Sequence, residues 1–289
     1  MRNGHSHITL VTYDGQPQLT PSDALVACEL AELGLSVQVA SWTDPSVDWS
    51  KTGLAVLRST WDAHTRPAEF LQWLLRIEPL TCVCNSAKLL RWNFDKRYLI
   101  DLSAGGIAIV PSIYFERQST GFPRRADVPW EQVVVKPAIG GSSHGVRKFD
   151  SRTELEALNA HLTDLLESKG ALVQRFEQTV ETLAERSLVF IRGQYTHAVK
   201  RVPFNCGNTP DTPDFDHSAS SEEIAFAMQV LAVAGARDAP FARVDLLPSA
   251  DSLLLMELEL LDPALFLTRN PPAARQLALA LRARLESGS

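Results

Sequence analysis

Two stretches of the chain carry residue types whose spacing could do chemistry together. The first, VVVKPAIGGSSHG at 133–145, runs from an apolar strand into Lys136 and then into a loop that is mostly glycine and serine. Backbone N–H groups in such a loop can bind phosphate oxygens, and the lysine ammonium adds positive charge beside them. Taken alone, the pattern is also typical of an edge-strand lysine followed by an ordinary surface loop.

The second stretch, FARVDLLPSADSLLLMELELLDP at 241–263, predicts an antiparallel hairpin turning at PSADS. With the turn centred on Asp251, Asp245 lies opposite Glu257. The next pair on that face is Arg243 with Glu259, because side chains alternate along a strand. The opposite, core-forming face is then made of Val244, Leu246, Met256, Leu258 and Leu260.

Three acids crowded on one strand face destabilise a sheet unless a positive charge neutralises them. Magnesium does this through oxygen ligands, and it usually takes one or two carboxylates together with substrate phosphates. The alternative is a solvent-facing acidic strand paired with Arg243, since structural ion-pair networks are common. A phosphate loop and a magnesium site in one chain together predict a nucleoside triphosphate site.

The familiar nucleotide motifs are absent from the sequence. Neither GxxxxGK[ST] nor GxGxxG occurs, and the lysine precedes the glycines instead of following them. A lysine strand followed by a glycine-rich lid is also found in protein kinases, but no HRD or DFG motif follows here.

The order of motifs resembles that of the ATP-grasp superfamily over roughly 85–289. KPAIGGSSHGV is similar to the lysine strand and glycine loop of D-alanine–D-alanine ligases, and RVDLL with MELEL resembles the superfamily's magnesium hairpin. LVQRFEQ falls where the hinge strand is expected, and HAVKR resembles the basic strand of glutamate ligases of the ribosomal-modification type. The combination LRSTWD, RWNFDKRYL, THAVKR, ARVDLL and MELEL is most similar to the subfamily of O-ureido-D-serine cyclo-ligases of D-cycloserine biosynthesis.

The resemblance implies an α/β ATP-grasp fold in three parts: a pre-ATP-grasp substrate domain at 1–92, an N-lobe at 93–178 with the lysine strands and the glycine lid, and a C-lobe at 179–289 with the magnesium hairpin. Alternating strands and helices independently predict that the first part is a doubly wound parallel sheet. Ligands bind beyond the carboxyl ends of such strands, so the segment after the third strand is a substrate-site candidate, with Arg58, Thr60 and Asp62. Asn93 is predicted to cap a helix that ends at Gly105 or Gly106.

The resemblance also implies a role for each matching residue. Lys96 and Lys136 would hold ATP phosphates beneath a lid made of Gly140, Gly141, Ser142, Ser143 and Gly145. Adenine and ribose would be held by Gln174, Arg175, Phe176, Glu177 and Glu185. Asp245, Glu257 and Glu259 would hold two magnesium ions, with manganese as an alternative. Arg243, with Lys200 or Arg201, would stabilise charge on the transferred phosphoryl group.

The implied activity is that of an ADP-forming C–N ligase. It would activate a small amino-acid-like carboxylate as an acyl phosphate, which an amine then attacks. Attack within the same molecule would close a ring, as in natural-product biosynthesis, whereas the lid's likeness to D-alanine–D-alanine ligases favours a linear dipeptide. The same motifs are also compatible with an ATP-grasp small-molecule kinase and with a non-catalytic nucleotide-binding protein.

Composition narrows the partners of this 289-residue chain. The formal net charge of −6 argues against a general nucleic-acid surface. No apolar run approaches the roughly 20 residues of a membrane helix, and no signal-peptide pattern precedes the first strand. Four cysteines are too few for a disulfide scaffold. These features predict a cytoplasmic enzyme acting on a small molecule, and the family resemblance adds a homodimer as one option.

Overall fold

The computed structural model describes residues 7–119, 128–141, 143–202, 215–249 and 252–287. Its strands form three sheets, and each sheet falls within one of the three segments expected from the sequence. Among the described helices, none combines the length and apolar character that a bilayer crossing requires.

The first sheet is parallel and has the order β2-β1-β3-β4. Its strands are β1 His7–Thr12, β2 Ser36–Ser41, β3 Leu54–Leu57 and β4 Cys82–Cys84. The connecting helices are α1 Pro21–Glu32, α2 Pro67–Ile77 and α3 Ala87–Phe94. Helix α1 begins with Pro21 in its first turn, and the Thr20 hydroxyl accepts from the Asp23 N–H. The doubly wound parallel sheet predicted from the sequence is confirmed.

The second sheet is antiparallel and follows helix α4 Tyr98–Ala104. Its order is β5-β8-β6-β7, with β5 Ser112–Phe115, β6 Gln132–Pro137, β7 Arg147–Asp150 and β8 Ala171–Arg175. Helix α5, Leu155–Ser168, buries Leu158, Leu162 and Leu166 at four-residue spacing against this sheet. The strand β6 delivers Lys136, and the glycine loop follows between β6 and β7.

The third sheet is also antiparallel, with the order β11-β10-β9-β12-β13. It comprises β9 Glu185–Ile191, β10 Gln194–Arg201, β11 Phe215–His217, β12 Ala242–Pro248 and β13 Leu253–Glu259, and α6 Thr179–Leu183 precedes it. Helix α7, Ser221–Val233, begins with a capping box and covers one face of the sheet. The last helix, α8 Pro271–Ser287, returns to the first sheet and packs on α1 and β4.

The hairpin β12–β13 has the predicted register where the charged residues lie. Arg243 pairs with Glu259, and Asp245 pairs with Glu257. The register then shifts by one residue between Asp245 and Leu246, as in a β-bulge. This extra residue turns Met256 toward the cleft between the lobes, so its predicted place on the core face is wrong.

Strand β13 forms the edge of its sheet, and the helices α3 and α4 cover its free side. Asn93 Nδ2 donates to the Leu258 carbonyl at 2.8 Å, and its Oδ1 accepts from the Leu260 N–H at 2.8 Å. The Tyr98 hydroxyl accepts from the Leu258 N–H at 3.0 Å. Asn93 is therefore buried near the end of α3, and its predicted role as a helix cap is wrong. The unpaired strand groups need partners that only the tertiary fold supplies.

We expect Asn93→Ala to lower the free energy of unfolding by about 2–4 kcal/mol, because it leaves two buried backbone groups without partners. Urea denaturation followed by circular dichroism measures this. Lys88→Ala, at an exposed position of the same helix, is the matched control and should change the midpoint little. Equal midpoints for the two variants would contradict the edge-strand role of Asn93.

Candidate active site

The three sheets surround a cleft of about 550 Å³. Its walls are the segment after β3, the second sheet with its glycine loop, and the charged face of the third sheet. On the third sheet, the face toward α7 is mostly apolar, with Arg186 paired to Glu223 of α7 at one end, whereas the cleft is lined by Glu185, Arg201, Arg243, Glu257 and Glu259. Strand alternation thus separates a core face from a charged face.

The three hairpin acids converge at the cleft. Asp245, Glu257 and Glu259 each offer a carboxylate oxygen, and these oxygens lie within 4.8 Å of one another. Oxygen atoms at this spacing can bind one hard divalent cation. Asp245 is fully buried, and both glutamates are half-buried.

Two protein cations from different elements partly neutralise these acids. Arg243 Nε and Nη2 each donate to an oxygen of Asp245 at 2.8 Å, and Nη2 also donates to Glu259. Lys96 Nζ, from the turn between α3 and α4, lies 2.6 Å from Glu257 Oε1. It also donates to the Gly140 carbonyl at 3.0 Å.

Burial and the neighbouring charges shift the pKa values of the acids in opposite directions. Burial raises the pKa of Glu259 to about 7; Arg243 opposes this, while Glu257 and Asp245 add to it. Burial, followed by the charge of Asp245, raises the pKa of Glu185 to about 7. For Glu257, burial is outweighed by Lys96 and Lys136, so its pKa falls to about 2. An additional cation at these carboxylates would relieve the remaining repulsion, which fits a bound metal ion.

Lys136 enters the cleft from β6 and is buried. Burial lowers the pKa of its ammonium group to about 8, although Glu257 acts in the opposite direction. The Lys96 N–H donates to the Ala138 carbonyl at 2.8 Å, which fixes the α3–α4 turn against the strand that carries Lys136. The two lysines and both glutamates therefore line one cleft, and the buried Asp245 completes the carboxylate cluster within 4.8 Å of the glutamate oxygens.

The far end of the cleft is an apolar slot beside β8. Its lining includes the predicted residues Gln174, Arg175, Phe176 and Glu177, together with Val134, Val180 and Met256. The Gln174 side chain donates to Ser112 Oγ at 2.9 Å, and Arg175 pairs with Glu177. A slot of this kind suits the flat face of an aromatic ring. Sequence reasoning missed Val134, although it lies two residues before Lys136 and therefore shares its strand face.

Some predicted site residues lie outside the cleft lining. Arg58 is 2% exposed, and its Nε donates to Asp23 Oδ1 at 2.7 Å, so it is part of a buried pair. Asp62 accepts from Trp42 Nε1 at 2.7 Å and pairs with Arg66. The predicted substrate contacts of Arg58 and Asp62 are therefore wrong, because partners within the protein already satisfy both side chains. Thr60, by contrast, lines the cleft.

The predicted contact of Lys200 with the phosphoryl group is also wrong. Lys200 lies between Val199 and Arg201 on β10. Arg201 lines the cleft and lies 3.6 Å from Glu185, so alternation turns Lys200 to the other face of the strand.

In the glycine loop, Gly140, Gly141 and Ser143 line the cleft, whereas Gly145 does not. Gly145 has φ of +74°, and its carbonyl lies 2.9 Å from His161 Nε2. Ser142 lies outside the described residues.

Sequence reasoning also missed residues on the wall nearest the first sheet. His64 lies in the short helical turn Ala63–Thr65, and its ring centroid is 5.9 Å from that of His144 in the glycine loop. Burial lowers the pKa of His64, and the nearby Lys169 adds to this. Asp262, just beyond β13, lines the same wall. His64 and Asp262 could not be recognised from the sequence, because a lone histidine or aspartate in a loop has no identifiable partner until the chain is folded.

Comparison with known proteins decides the family. Residues 8–85 match the family model of the N-terminal domain of D-cycloserine synthetase DcsG. Over 294 residues the chain is 31% identical to the cycloserine biosynthesis protein DcsG of Streptomyces lavendulae, which covers 96% of this chain and 95% of that protein. The chain belongs to the DcsG family. The crystal structure of D-cycloserine synthetase DcsG superposes with a TM-score of 0.86 at 30% identity, over 96% of this chain and 99% of that one.

More distant structures share the fold. The ATP-grasp ligase PsnB, in complex with a precursor peptide and AMPPNP, is 18% identical with a TM-score of 0.64 over 98% of each chain. D-alanine–D-alanine ligase from Bacillus anthracis, in complex with ATP, is 14% identical with a TM-score of 0.64 over 97% of this chain and 99% of that one. The predicted ATP-grasp fold is confirmed, and with it the prediction of an ADP-forming C–N ligase.

The two glycines at the start of the loop give a matched pair of variants in this DcsG-family cleft. A Cβ on Gly140 would lie 2.6 Å from Pro137 Cγ and would displace the carbonyl that holds Lys96, whereas a Cβ on Gly141 would meet His64 Nδ1 at an ordinary 3.4 Å. We expect Gly140→Ala to lower ATP turnover at least about tenfold, equivalent to about 1.4 kcal/mol, and Gly141→Ala to change it less than about threefold. Steady-state ADP release measures both. Equal losses would contradict this account of the loop.

The depressed pKa of Lys136 predicts a pH dependence for nucleotide binding. Its ammonium is charged below pH of about 8 and becomes neutral above it, so the association constant for Mg·ATP should fall as the pH rises through that value. Bound phosphate favours the charged form of the Lys136 ammonium, so the association constant should fall by up to about tenfold per pH unit. Calorimetric titrations at several pH values measure this. Lys136→Met should bind weakly without this dependence, and Lys200→Met should retain it; an unchanged profile in Lys136→Met would contradict the assignment.

Proposed function

We propose that this chain is a ring-closing member of its family, which activates the carboxylate of an O-ureido amino acid so that a nitrogen of the same molecule attacks it. The observation that carries the proposal is that Lys96 and Lys136 line the same cleft as Glu257 and Glu259, whose carboxylates cluster with that of Asp245. The DcsG relative, matched over 96% of this chain, supports a cycloserine-type ring: the attacking nitrogen would displace phosphate, and hydrolytic loss of its carbamoyl group would leave the unsubstituted ring. The first substrate to test is O-ureido-D-serine.

The cleft divides into sites for the two substrates. The apolar slot beside β8 would receive adenine, and Glu185 with Glu177 would meet the ribose hydroxyls. Lys96, Lys136 and the N–H groups of the glycine loop would bind the phosphates. The remaining wall, with Thr60, is left for the amino-acid-like substrate. The cleft volume of about 550 Å³ lies in the range of small-molecule sites.

Asp245, Glu257 and Glu259 would hold magnesium, and their combined charge suits two ions, with manganese as a substitute. Bound magnesium would supply positive charge between two negative reactants, the phosphoryl group and the carboxylate. The protein supplies the rest of the electrostatics. Lys96, which is paired with Glu257 at 2.6 Å, would bind a phosphate oxygen once magnesium neutralises that carboxylate.

Arg243 is the residue suited to stabilise charge at the reacting centre. Its guanidinium is buried and fixed on three sides by Asp245, Glu259 and the Ala264 carbonyl, so it needs no reorganisation during reaction. Burial alone would lower the pKa of Arg243, but Asp245 and Glu259 raise it above its usual value, so it stays charged. Arg201 adds a second positive charge from β10.

The proposal extends to partners and location. The substrate is a free small molecule, and the enzyme works in the cytoplasm without nucleic acid, in keeping with the net charge of −6. Assembly as a homodimer stays a prediction, which light scattering on the purified protein tests.

The test is a screen of amino acids, singly and in pairs, together with O-ureido-D-serine, for ATP-dependent ADP release with mass detection of products. Ring closure predicts turnover with one substrate alone. A dipeptide ligase would need two substrates, and a kinase would yield a stable phosphorylated product without an amine. Either of those results would refute ring closure.

We expect Glu257→Gln to lower turnover at least about a hundredfold, because it removes a carboxylate from the metal site and the partner of Lys96. Glu286→Gln, at an exposed position on α8, is the matched control and should retain activity. ADP release that persists in Glu257→Gln would contradict the role of the hairpin in turnover.

A further inference from the structure

Asp262 differs from the other acidic side chains of the cleft wall in having no cationic partner. Within the described part of the chain, the other acids that line the cleft each form an ion pair: Glu177 with Arg175, Glu185 with Arg201, Glu257 with Lys96, and Glu259 with Arg243. No lysine, arginine or histidine nitrogen of the described residues lies within 4.0 Å of an Asp262 oxygen. Asp262 therefore has no ion-pair partner among the described residues.

The Asp262 side chain is held in place from the first sheet. The Thr60 hydroxyl, 1% exposed, donates to Asp262 Oδ2 at 2.8 Å. Two residues earlier, Arg58 Nη2 donates to the Pro263 carbonyl at 2.9 Å. On the other side, Arg243 Nη1 donates to the Ala264 carbonyl at 3.2 Å. The segment that carries Asp262 is thus clamped between the segment after β3 and the metal hairpin, and Asp262 itself lines the cleft.

This clamped carboxylate is separate from the metal cluster. The group of oxygens within 4.8 Å of one another contains the three hairpin acids but not Asp262. Burial raises the pKa of Asp262, while Thr60 opposes this by hydrogen bonding and Arg58 by its charge. A half-buried carboxylate is stabilised most by a cation that also donates hydrogen bonds, and a primary ammonium group does both.

We propose that Asp262, positioned by Thr60, binds the ammonium group of the amino-acid substrate. This inference rests on the proposed function, and it adds which substrate group is recognised and where. Asp262 takes the substrate-binding role that the sequence suggested for Asp62. The side chain of Asp62 is instead bound to Trp42 and Arg66. The substrate then lies with its ammonium toward the first sheet and its carboxylate toward Lys96 and the hairpin acids.

The placement has a consequence for the reaction. An ammonium held by a carboxylate keeps its proton, so that nitrogen is not the nucleophile that attacks the acyl phosphate. The attacking nitrogen must be another one in the substrate, as in an O-ureido amino acid. The subsite therefore favours a substrate that keeps its amino group in the product.

The test compares O-ureido-D-serine with 3-(ureidooxy)propanoic acid, which lacks only the amino group. Binding of each to wild type and Asp262→Asn is measured by calorimetry in the presence of Mg·AMPPNP. We expect wild type to bind the amino compound at least about thirtyfold more tightly, and Asp262→Asn to lose most of that preference while binding AMPPNP as wild type does. Equal binding of the two compounds by wild type, no binding of either, or an unchanged preference in Asp262→Asn would overturn the proposal.

Additional variants separate recognition from folding. Thr60→Val removes the positioning hydroxyl and should weaken the preference, whereas Thr60→Ser should preserve it. Asp62→Asn should also preserve it; a preference lost in Asp62→Asn and kept in Asp262→Asn would return the role to Asp62. ADP release with the same two compounds is recorded in parallel. Amino-dependent binding without turnover would refute the proposed function and keep the subsite, whereas turnover that ignores the amino group would do the reverse.

Discussion

The site depends on one electrostatic constraint: three carboxylates gathered in a partly buried cleft must be matched by positive charge. Arg243 supplies part of this from the same strand face as Asp245. Lys96 supplies another part from a different lobe, through its 2.6 Å contact with Glu257. Removing one partner of such a buried pair leaves an uncompensated charge, which is costly. The contact between Lys96 and Glu257 therefore joins the turn between α3 and α4 to the β12–β13 hairpin.

The fold brings Lys96 to the hairpin by covering the edge of the third sheet. Asn93 and Tyr98, which lie on either side of Lys96 in the sequence, bind the backbone of β13. The lysine between them is consequently fixed near the cleft-facing acids of the same strand. The first sheet is joined to the hairpin through the segment at 262–264, where Arg58 and Thr60 donate hydrogen bonds. Structural contacts outside the reacting centre thus set its geometry.

The sequence predicted the features that follow from local periodicity. Alternation along two strands and a short turn were enough to align Arg243 with Glu259 and Asp245 with Glu257. Several features that depend on contacts distant in sequence were predicted wrongly. The bulge that turns Met256 into the cleft has no local signal, and the helix-cap pattern at Asn93 does not show that its side chain meets β13. Thr60 lines the cleft, but the sequence of the loop could not show that its neighbour Arg58 pairs with Asp23.

In the unliganded protein Lys96 neutralises Glu257, and a bound metal ion would take over that role and free Lys96 for the nucleotide. A crystal structure of the complex with Mg·AMPPNP tests it most directly. We expect metal density between Asp245, Glu257 and Glu259, with Lys96 Nζ moved from Glu257 to a phosphate oxygen. A complex in which Lys96 stays within ion-pair distance of Glu257, or in which the metal lies away from these three carboxylates, would contradict it.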